Sequence, residues 1–313
     1  MGMEYRRLGN SGLKVSAVGI GCNNFGMRID QEATNAVVGA CLDTGINFFD
    51  TADVYGGSQS ETMLGKALEG KRHEVVLATK FASPMGQRHD QRGGSRRYIM
   101  QAVEASLTRL GTDYIDLYQM HRPDPDTPIE ETLWALDDLV RSGKVRYLGN
   151  SNFTGWQIAD ADWISRTKGH ERFVSAQNLY SLLERNSARE VLPACEHFGL
   201  GFLPFFPLAS GLLTGKYRRA EAPPEGTRLA AWGARGQQAL SDRNFDKVEA
   251  LTGWAQGRGK TLLDLAFAWL LSQPVVSSVI AGATRPEQVN GNAAAGEWRL
   301  TPEEVSEVTA LVA

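Results

Sequence analysis

INFF (46–49), EVVLAT (74–79), YIDLYQM (114–120), VRYLG (145–149), FVSAQ (173–177), LGFLPF (200–205) and SSVI (277–280) decide the fold. Each is a short, almost continuously apolar run, which is what a parallel strand needs when both its faces are buried. With VGIG at 18–21 the runs number eight. Between them lie amphipathic stretches with helix signals. Thr127-Pro128-Ile129-Glu130 reads as a capping box with proline at the first helical position; Ile129, Leu133, Leu136 and Val140 then share a face, and Gly143 stops the run. Ser58-Gln59-Ser60-Glu61 reads as a second capping box ahead of Met63, Leu64 and Leu68, and Asp30 caps a helix ending at Gly45. Strands alternating with helices admit a closed (β/α)8 barrel or an open doubly wound sheet. The open sheet's G-x-G-x-x-G fingerprint is not met: the residues from Gly19 and Gly21 to Gly26 have the wrong spacing. The reading is therefore an α/β chain, a (β/α)8 TIM barrel forming a single domain over 1–313. An N-terminal β-hairpin precedes it: EYRRLG, a turn at Asn10-Ser11-Gly12, then LKVSAVGIG. A long connection follows strand 7, from Pro207 to Ser241, and is read as a structureless loop that folds over a bound ligand rather than a variable surface insertion.

Composition agrees with one large core. The chain has 313 residues, 42% of them hydrophobic, a length that α/β barrels routinely fill. A net charge of −3, with basic residues interleaved among acids, gives no general attraction to nucleic acid or an anionic membrane. The most apolar stretches, Phe202–Ala209 and Leu262–Leu271, fall short of the ~20 residues of a membrane span. Cys22, Cys41 and Cys195 are far apart and odd in number, so no disulfide framework is expected and a reducing, cytoplasmic setting is. MGMEYRR lacks the apolar region of a signal peptide, and Arg6 breaks a myristoylation pattern.

In barrels of this kind the chemistry sits where strands end in loops. Asp50 follows INFF, Lys80 follows EVVLAT and His121 follows YIDLYQM; Ser151 and Asn152 follow VRYLGN, while Gln177 and Asn178 close FVSA. Taken singly, each has a plain alternative. Asp50 can cap a turn, Tyr55 can be a half-exposed aromatic in a glycine-rich loop, and His121 can be structural. Lys80 can snorkel to water or form a Schiff base. Together they predict a barrel enzyme whose site holds an Asp, a Lys, a His and Tyr55.

At these residues the chain closely resembles the aldo-keto reductase family. FFDTADVYGGSQSE (48–61), Thr79-Lys80, DLYQMHRPDPDTPIEETL (116–133), GKVRYLGNSNF (143–153), AQNLYSLLER (176–185), PLASGLLTGKY (207–217) and SVIAGATRPEQVNGN (278–292) carry the resemblance over essentially the whole chain. It implies a catalytic tetrad of Asp50, Tyr55, Lys80 and His121 reducing an aldehyde or ketone with NADPH, NADH being the weaker cofactor. Tyr55 would donate the proton, Lys80 would lower the phenol's pKa from about 10, Asp50 would hold Lys80, and His121 would orient the carbonyl. It further implies that Ser151, Asn152 and Gln177 bind the carboxamide and that Phe205 stacks on the nicotinamide. Pro207, Leu208, Ser210, Lys216 and Arg228 would cover the pyrophosphate. Gly282, Thr284, Arg285, Gln288 and Asn292 would hold the adenine and 2′-phosphate. No metal is implied, and the partner is a small carbonyl compound, not a nucleic acid or membrane. Two departures stand out. Gly291 replaces a carboxylate found in many members, and Phe205 replaces a Tyr or Trp. Potassium-channel β subunits resemble the same family but often carry asparagine where this chain keeps His121. Asn23, Asn24, Phe25, Phe81, Met85 and Trp232 are expected around the substrate mouth.

Overall fold

The computed structural model describes residues 2–312, apart from the side chain of Arg235. Strands β1 (Tyr5–Arg7) and β2 (Lys14–Ser16) form the expected hairpin, with Tyr5 opposite Ser16 and Arg7 opposite Lys14. Eight strands follow: β3 (Val18–Gly21), β4 (Phe48–Asp50), β5 (Val76–Phe81), β6 (Ile115–Met120), β7 (Val145–Ser151), β8 (Phe173–Leu179), β9 (Gly201–Phe205) and β10 (Val279–Gly282). They pair in parallel in chain order, and β10 returns to pair with β3. The Phe202 amide donates to the Val275 carbonyl at 2.8 Å and Ser277 donates to the Phe202 carbonyl at 3.0 Å, which closes the ring beside β9. This is the (β/α)8 barrel expected from the sequence.

The strand period of two sets the site. Phe48, Val76, Ala78, Leu117, Leu203 and Ile280 pack together inside the barrel, and Leu8 and Val15 of the hairpin segment close this cluster. Two residues further along the same strands, the same faces present Asp50, Lys80 and Gln119, and β8 adds Gln177. Apolar side chains therefore fill the floor and polar ones the rim. Gly149 of β7 makes room at this level: a Cβ there would lie 2.5 Å from Ser175 Oγ and 3.0 Å from Gln119 Cγ.

Helices surround the barrel: α1 (Gln31–Asp43), α2 (Gln59–Ala67), α3 (Arg96–Leu110), α4 (Ile129–Arg141), α5 (Gly155–Lys168) and α6 (Val191–Phe198). After β9 come α7 (Arg228–Ala231), α8 (Ala234–Ala239), α9 (Asp242–Gln256) and α10 (Leu262–Leu271), and after β10 come α11 (Pro286–Ala295) and α12 (Pro302–Ala310). On α4 the predicted inward face holds: Leu133 and Leu136 are fully buried and Ile129 and Val140 pack against the core. Each such leucine stabilises by ~1.5–3 kcal/mol. Asp30 caps α1 by accepting the Ala33 amide, as its position predicts.

Three local expectations are corrected. Pro128, not Thr127, is the N-cap residue of α4, no side chain caps it, and Thr127 hydrogen-bonds Asp124 instead. Ser58 precedes α2 in a left-handed conformation (φ 75°) rather than the extended one of a capping residue and makes no capping bond, and the Glu61 side chain turns inward to Thr79 and Arg109 instead of back to Ser58. A buried ionic partner outcompetes a cap exposed to water. The connection from 207 to 241 is not structureless: it contains a 3-10 turn at Ala209–Thr214 and the short helices α7 and α8.

Candidate active site

Asp50 is the last residue of β4 and Lys80 the penultimate residue of β5, so rigid strands rather than loops deliver both. Lys80 is fully buried, and its Nζ donates to Asp50 Oδ2 at 2.6 Å, to the Thr51 carbonyl at 2.9 Å and to the Tyr55 hydroxyl at 3.4 Å. Those three bonds use every proton an ammonium has. The other carboxylate oxygen, Asp50 Oδ1, accepts from Gln119 Nε2 and Gln177 Nε2, both at 2.9 Å. Burial opposes the Lys80 charge, but Asp50 and Tyr55 outweigh it and hold the ammonium above its usual value.

Tyr55 sits in the loop after β4, above Lys80. Burial pushes its phenol above the ordinary value, and the Lys80 ammonium pulls it back only in part. The expected lowering by Lys80 is real as one contribution but is not the net direction. Its ring meets His121 edge-on, with centroids 5.7 Å apart and planes at 83°. His121 follows β6 and is tied by its amide to the Phe81 carbonyl at 2.9 Å. Burial, then Lys80 and Arg122, push its pKa down to about 3, so the imidazole is neutral. Its Nδ1 is buried without a protein partner. Asn152, at φ 61°, donates to the His121 carbonyl at 2.9 Å and to Ser151 Oγ at 3.1 Å; Ser151 Oγ in turn donates to the Gln177 carbonyl at 2.8 Å.

Asp50, Tyr55 and His121 open onto a cavity of about 750 Å³, and all fourteen residues named from the sequence as cofactor-binding line it. Gln177 spends its side-chain N–H groups on Asp50 and, at 3.3 Å, on Gln119, leaving its side-chain Oε1 for any ligand. Four cations face the cavity: Arg28, Lys216, Arg228 and Arg285. Burial and the three arginines lower the pKa of Lys216. Arg228 donates to Asn24 Oδ1 at 3.2 Å and stacks over the Phe206 ring at 5.1 Å, while Arg28 donates to the Gly226 carbonyl. These contacts tie the long connection to the loop after β3. Gln288 Oε1 accepts from the Thr284 amide at 2.8 Å and from its hydroxyl at 3.1 Å. Arg285, the N-cap residue of α11, is largely exposed and lies 3.5 Å from Glu287. At Gly291 only Leu263 Cδ2, at 3.8 Å, would meet an added Cβ, so the position is open.

The mouth differs from expectation at four of its six positions: Phe25, Phe81, Met85 and Trp232 do not line the cavity. Phe25 and Phe81 are fully buried in the core between barrel and helices, Phe81 because it alternates with inward-facing Lys80 on β5, and Met85 packs against the same core. Asn23 and Asn24 do line the cavity, and Trp232 packs against Phe206 with centroids 6.2 Å apart. Sequence reasoning missed Gln119 and Arg28. Gln119 was within reach: it lies at the inward period between Leu117 and His121. Arg28 lies in an irregular loop with no pattern to mark it.

Among the described residues no helix is long and apolar enough to cross a membrane, and no group of three His, Cys, Asp or Glu is placed to hold a metal ion. The fold and the rim define a class that the sequence comparisons identify. The profile of the Aldo/keto reductase family matches residues 17–313, and the chain belongs to this family of oxidoreductases, whose members typically use nicotinamide cofactors. It is 39% identical to "Uncharacterized oxidoreductase YrpG" of Bacillus subtilis, covering 96% of this chain and 93% of that one. It is 37% identical to "Probable voltage-gated potassium channel subunit beta" of Oryza sativa subsp. japonica, over 99% and 97% of the two chains. With "Versiconal hemiacetal acetate reductase" of Aspergillus parasiticus it shares 35% identity over 97% and 95%.

Proposed function

We propose that this chain is a single-domain, cytoplasmic, NADPH-dependent reductase that converts aldehydes or ketones to alcohols. The observation that carries the reading is the Lys80 ammonium, locked by Asp50 at 2.6 Å and turned to the Tyr55 hydroxyl at 3.4 Å, at one end of a cavity that also holds four cations. The cavity suits a phosphorylated dinucleotide. Among the described residues Arg28, Lys216 and Arg228 have no carboxylate partner, and a lysine whose charge is disfavoured by burial and by three arginines gains most from an anion. Lys216, Arg228, Leu208 and Ser210 would hold the pyrophosphate; Thr284, Arg285, Gln288 and Asn292 the adenosine end; Ser151, Asn152 and the side-chain Oε1 of Gln177 the carboxamide, with Phe205 against the ring. When bound, the dihydronicotinamide supplies the hydride that reaches the carbonyl carbon.

The chain's own residues manage the oxygen. Negative charge grows there as carbon is reduced, and Tyr55 hands it the phenolic proton. The high pKa of Tyr55 keeps that proton in place until the charge appears. Lys80 stabilises the phenolate left behind, and Asp50, pinned by two glutamine amides, keeps Lys80 charged and still. His121, neutral, donates a hydrogen bond to the carbonyl oxygen rather than a proton. The three buried thiols are free, which supports a reducing compartment.

Purified protein should consume NADPH with members of an aldehyde and ketone panel. Tyr55→Phe should cost ~10²–10⁴-fold in kcat while NADPH affinity, by fluorescence titration, stays within about twofold. Retention of more than half the activity by that variant would refute the reading.

A further inference from the structure

Outside the cavity lies a second buried polar cluster that this reaction does not use. Asp53, two residues before Tyr55, and Glu61 of α2 are both buried. Glu61 is well provided for: Arg109 Nε of α3 donates to its Oε2 at 2.7 Å, and Thr79 of β5 donates to its Oε1 at 2.6 Å. Asp53 is not. Its Oδ1 has no partner, and the side-chain donor nearest its Oδ2 is the Tyr98 hydroxyl at 3.5 Å. The Tyr118 hydroxyl, which also feels Asp53, is unpartnered too. Yet the Asp53 amide donates to the Lys80 carbonyl at 3.2 Å, so this residue joins the loop bearing Tyr55 to the strand bearing Lys80.

We propose that Asp53 is a positioning residue of the site that works in its protonated, neutral form, and that carbonyl reduction slows when it loses that proton; the inference rests on the reductase reading above. An ionised carboxylate with an orphaned oxygen in a buried setting is far less favourable than the neutral acid. Every charged group facing it bears on the balance. Glu61 from α2 repels a second carboxylate, and Arg109 from α3 is already committed to Glu61. Lys80 from β5 is committed to Asp50. Tyr98 and Tyr118, from α3 and β6, are held neutral by burial. Burial and then Glu61 push the Asp53 carboxyl up to about 7, against the weaker pull of Arg109, the Val54 amide and Lys80. A neutral Asp53 leaves the field of Lys80 on Tyr55 undiminished. A charged one adds a third carboxylate beside Asp50 and Glu61 and makes the Tyr55 phenolate harder to form.

The test is the pH profile of kcat. Wild type should lose roughly three- to tenfold of its reductive kcat between about pH 6 and pH 8.5, with an inflection near neutrality. Asp53→Asn, isosteric with the acid but unable to ionise, should hold its low-pH rate through that range. An unchanged inflection in the variant, or an equal loss at every pH, would overturn the inference. Should Asp53→Asn fail to fold, wild type labelled at the aspartate Cγ and titrated by ¹³C NMR decides. One carboxyl must titrate near neutrality; a full set of ionised aspartates at about pH 6 overturns the inference. A wild type that reduces no carbonyl at any pH sinks the reductase reading instead, and the NMR titration then still decides whether Asp53 holds the proton.

Discussion

Replacing Lys80 with methionine separates what the buried ion pair does for stability from what it does for turnover. The two charges lie 2.6 Å apart with almost no solvent contact. Coulomb's law at an effective dielectric of about 20 gives about 6 kcal/mol of attraction at that distance. Methionine also recovers the desolvation cost of burying an ammonium, so the net loss should be the ~3–5 kcal/mol typical of removing one partner from a buried pair. Most of that loss is the stranded carboxylate: Asp50 Oδ1 keeps its two glutamine donors, but Oδ2 loses its own. Asp50→Asn in the same chain removes the stranded charge. The double variant should therefore unfold in urea at a midpoint much closer to wild type than Lys80→Met does. Turnover should behave otherwise. Both variants lack the cation beside the Tyr55 hydroxyl and should lose ~10²–10⁴-fold in kcat, and adding Tyr55→Phe to either should cost little more. Recovery of turnover together with stability, or a single variant as stable as wild type, would refute the assignment of Lys80.

Two further outcomes follow from the charges around the cavity. Because His121 is neutral above about pH 3, kcat/KM should show no acid-side ionisation near the ordinary histidine value of about 6.5. An inflection there that vanishes in His121→Asn would contradict the neutral-donor role. Arg285→Ala should weaken NADPH binding by up to about tenfold and leave NADH nearly unaffected, since a charge-assisted contact from a largely exposed side chain contributes about 1 kcal/mol after solvent screening. Equal losses for both cofactors in a fluorescence titration would place Arg285 in water instead.

The barrel was legible because its strands are apolar on both faces, and one arithmetic step, the period of two, places Asp50 and Lys80 on the inner side with Phe48 and Ala78 below them. The same step finds Gln119, which a reading confined to strand ends passes over. Strand ends themselves are poorly marked in sequence: Asp50 and Lys80 belong to β4 and β5, although both read as the first loop residues. Helix caps were legible only where no stronger partner competed. Asp30 kept its cap, whereas Glu61 left the α2 terminus for Arg109, a residue 48 positions away that no local pattern connects to it. The contacts of Arg28 with Gly226 and of Arg228 with Asn24 join loops about 200 residues apart, and irregular backbone carries no period from which to infer them.

The polar rim also explains why the site tolerates so many buried charges. A Lys80–Asp50 pair inside a barrel stabilises no more than well-packed apolar residues would, because desolvation cancels much of its attraction. What it gives is fixed geometry. Lys80 makes three bonds and Asp50 accepts three, from donors on β5, β6 and β8, so the strands themselves hold the ammonium under Tyr55. No solvent need rearrange when charge moves to the phenol, which is the condition under which fixed dipoles lower a barrier. The apolar floor makes this possible. Phe48, Leu117 and Leu203, together with Leu8 and Val15 of the hairpin segment, keep water from entering from below, and the large helix-side core offsets the cost of the polar layer. A polar substitution at Leu8 or Val15 would therefore act on the chemistry as well as on the fold, by raising the dielectric beneath Lys80.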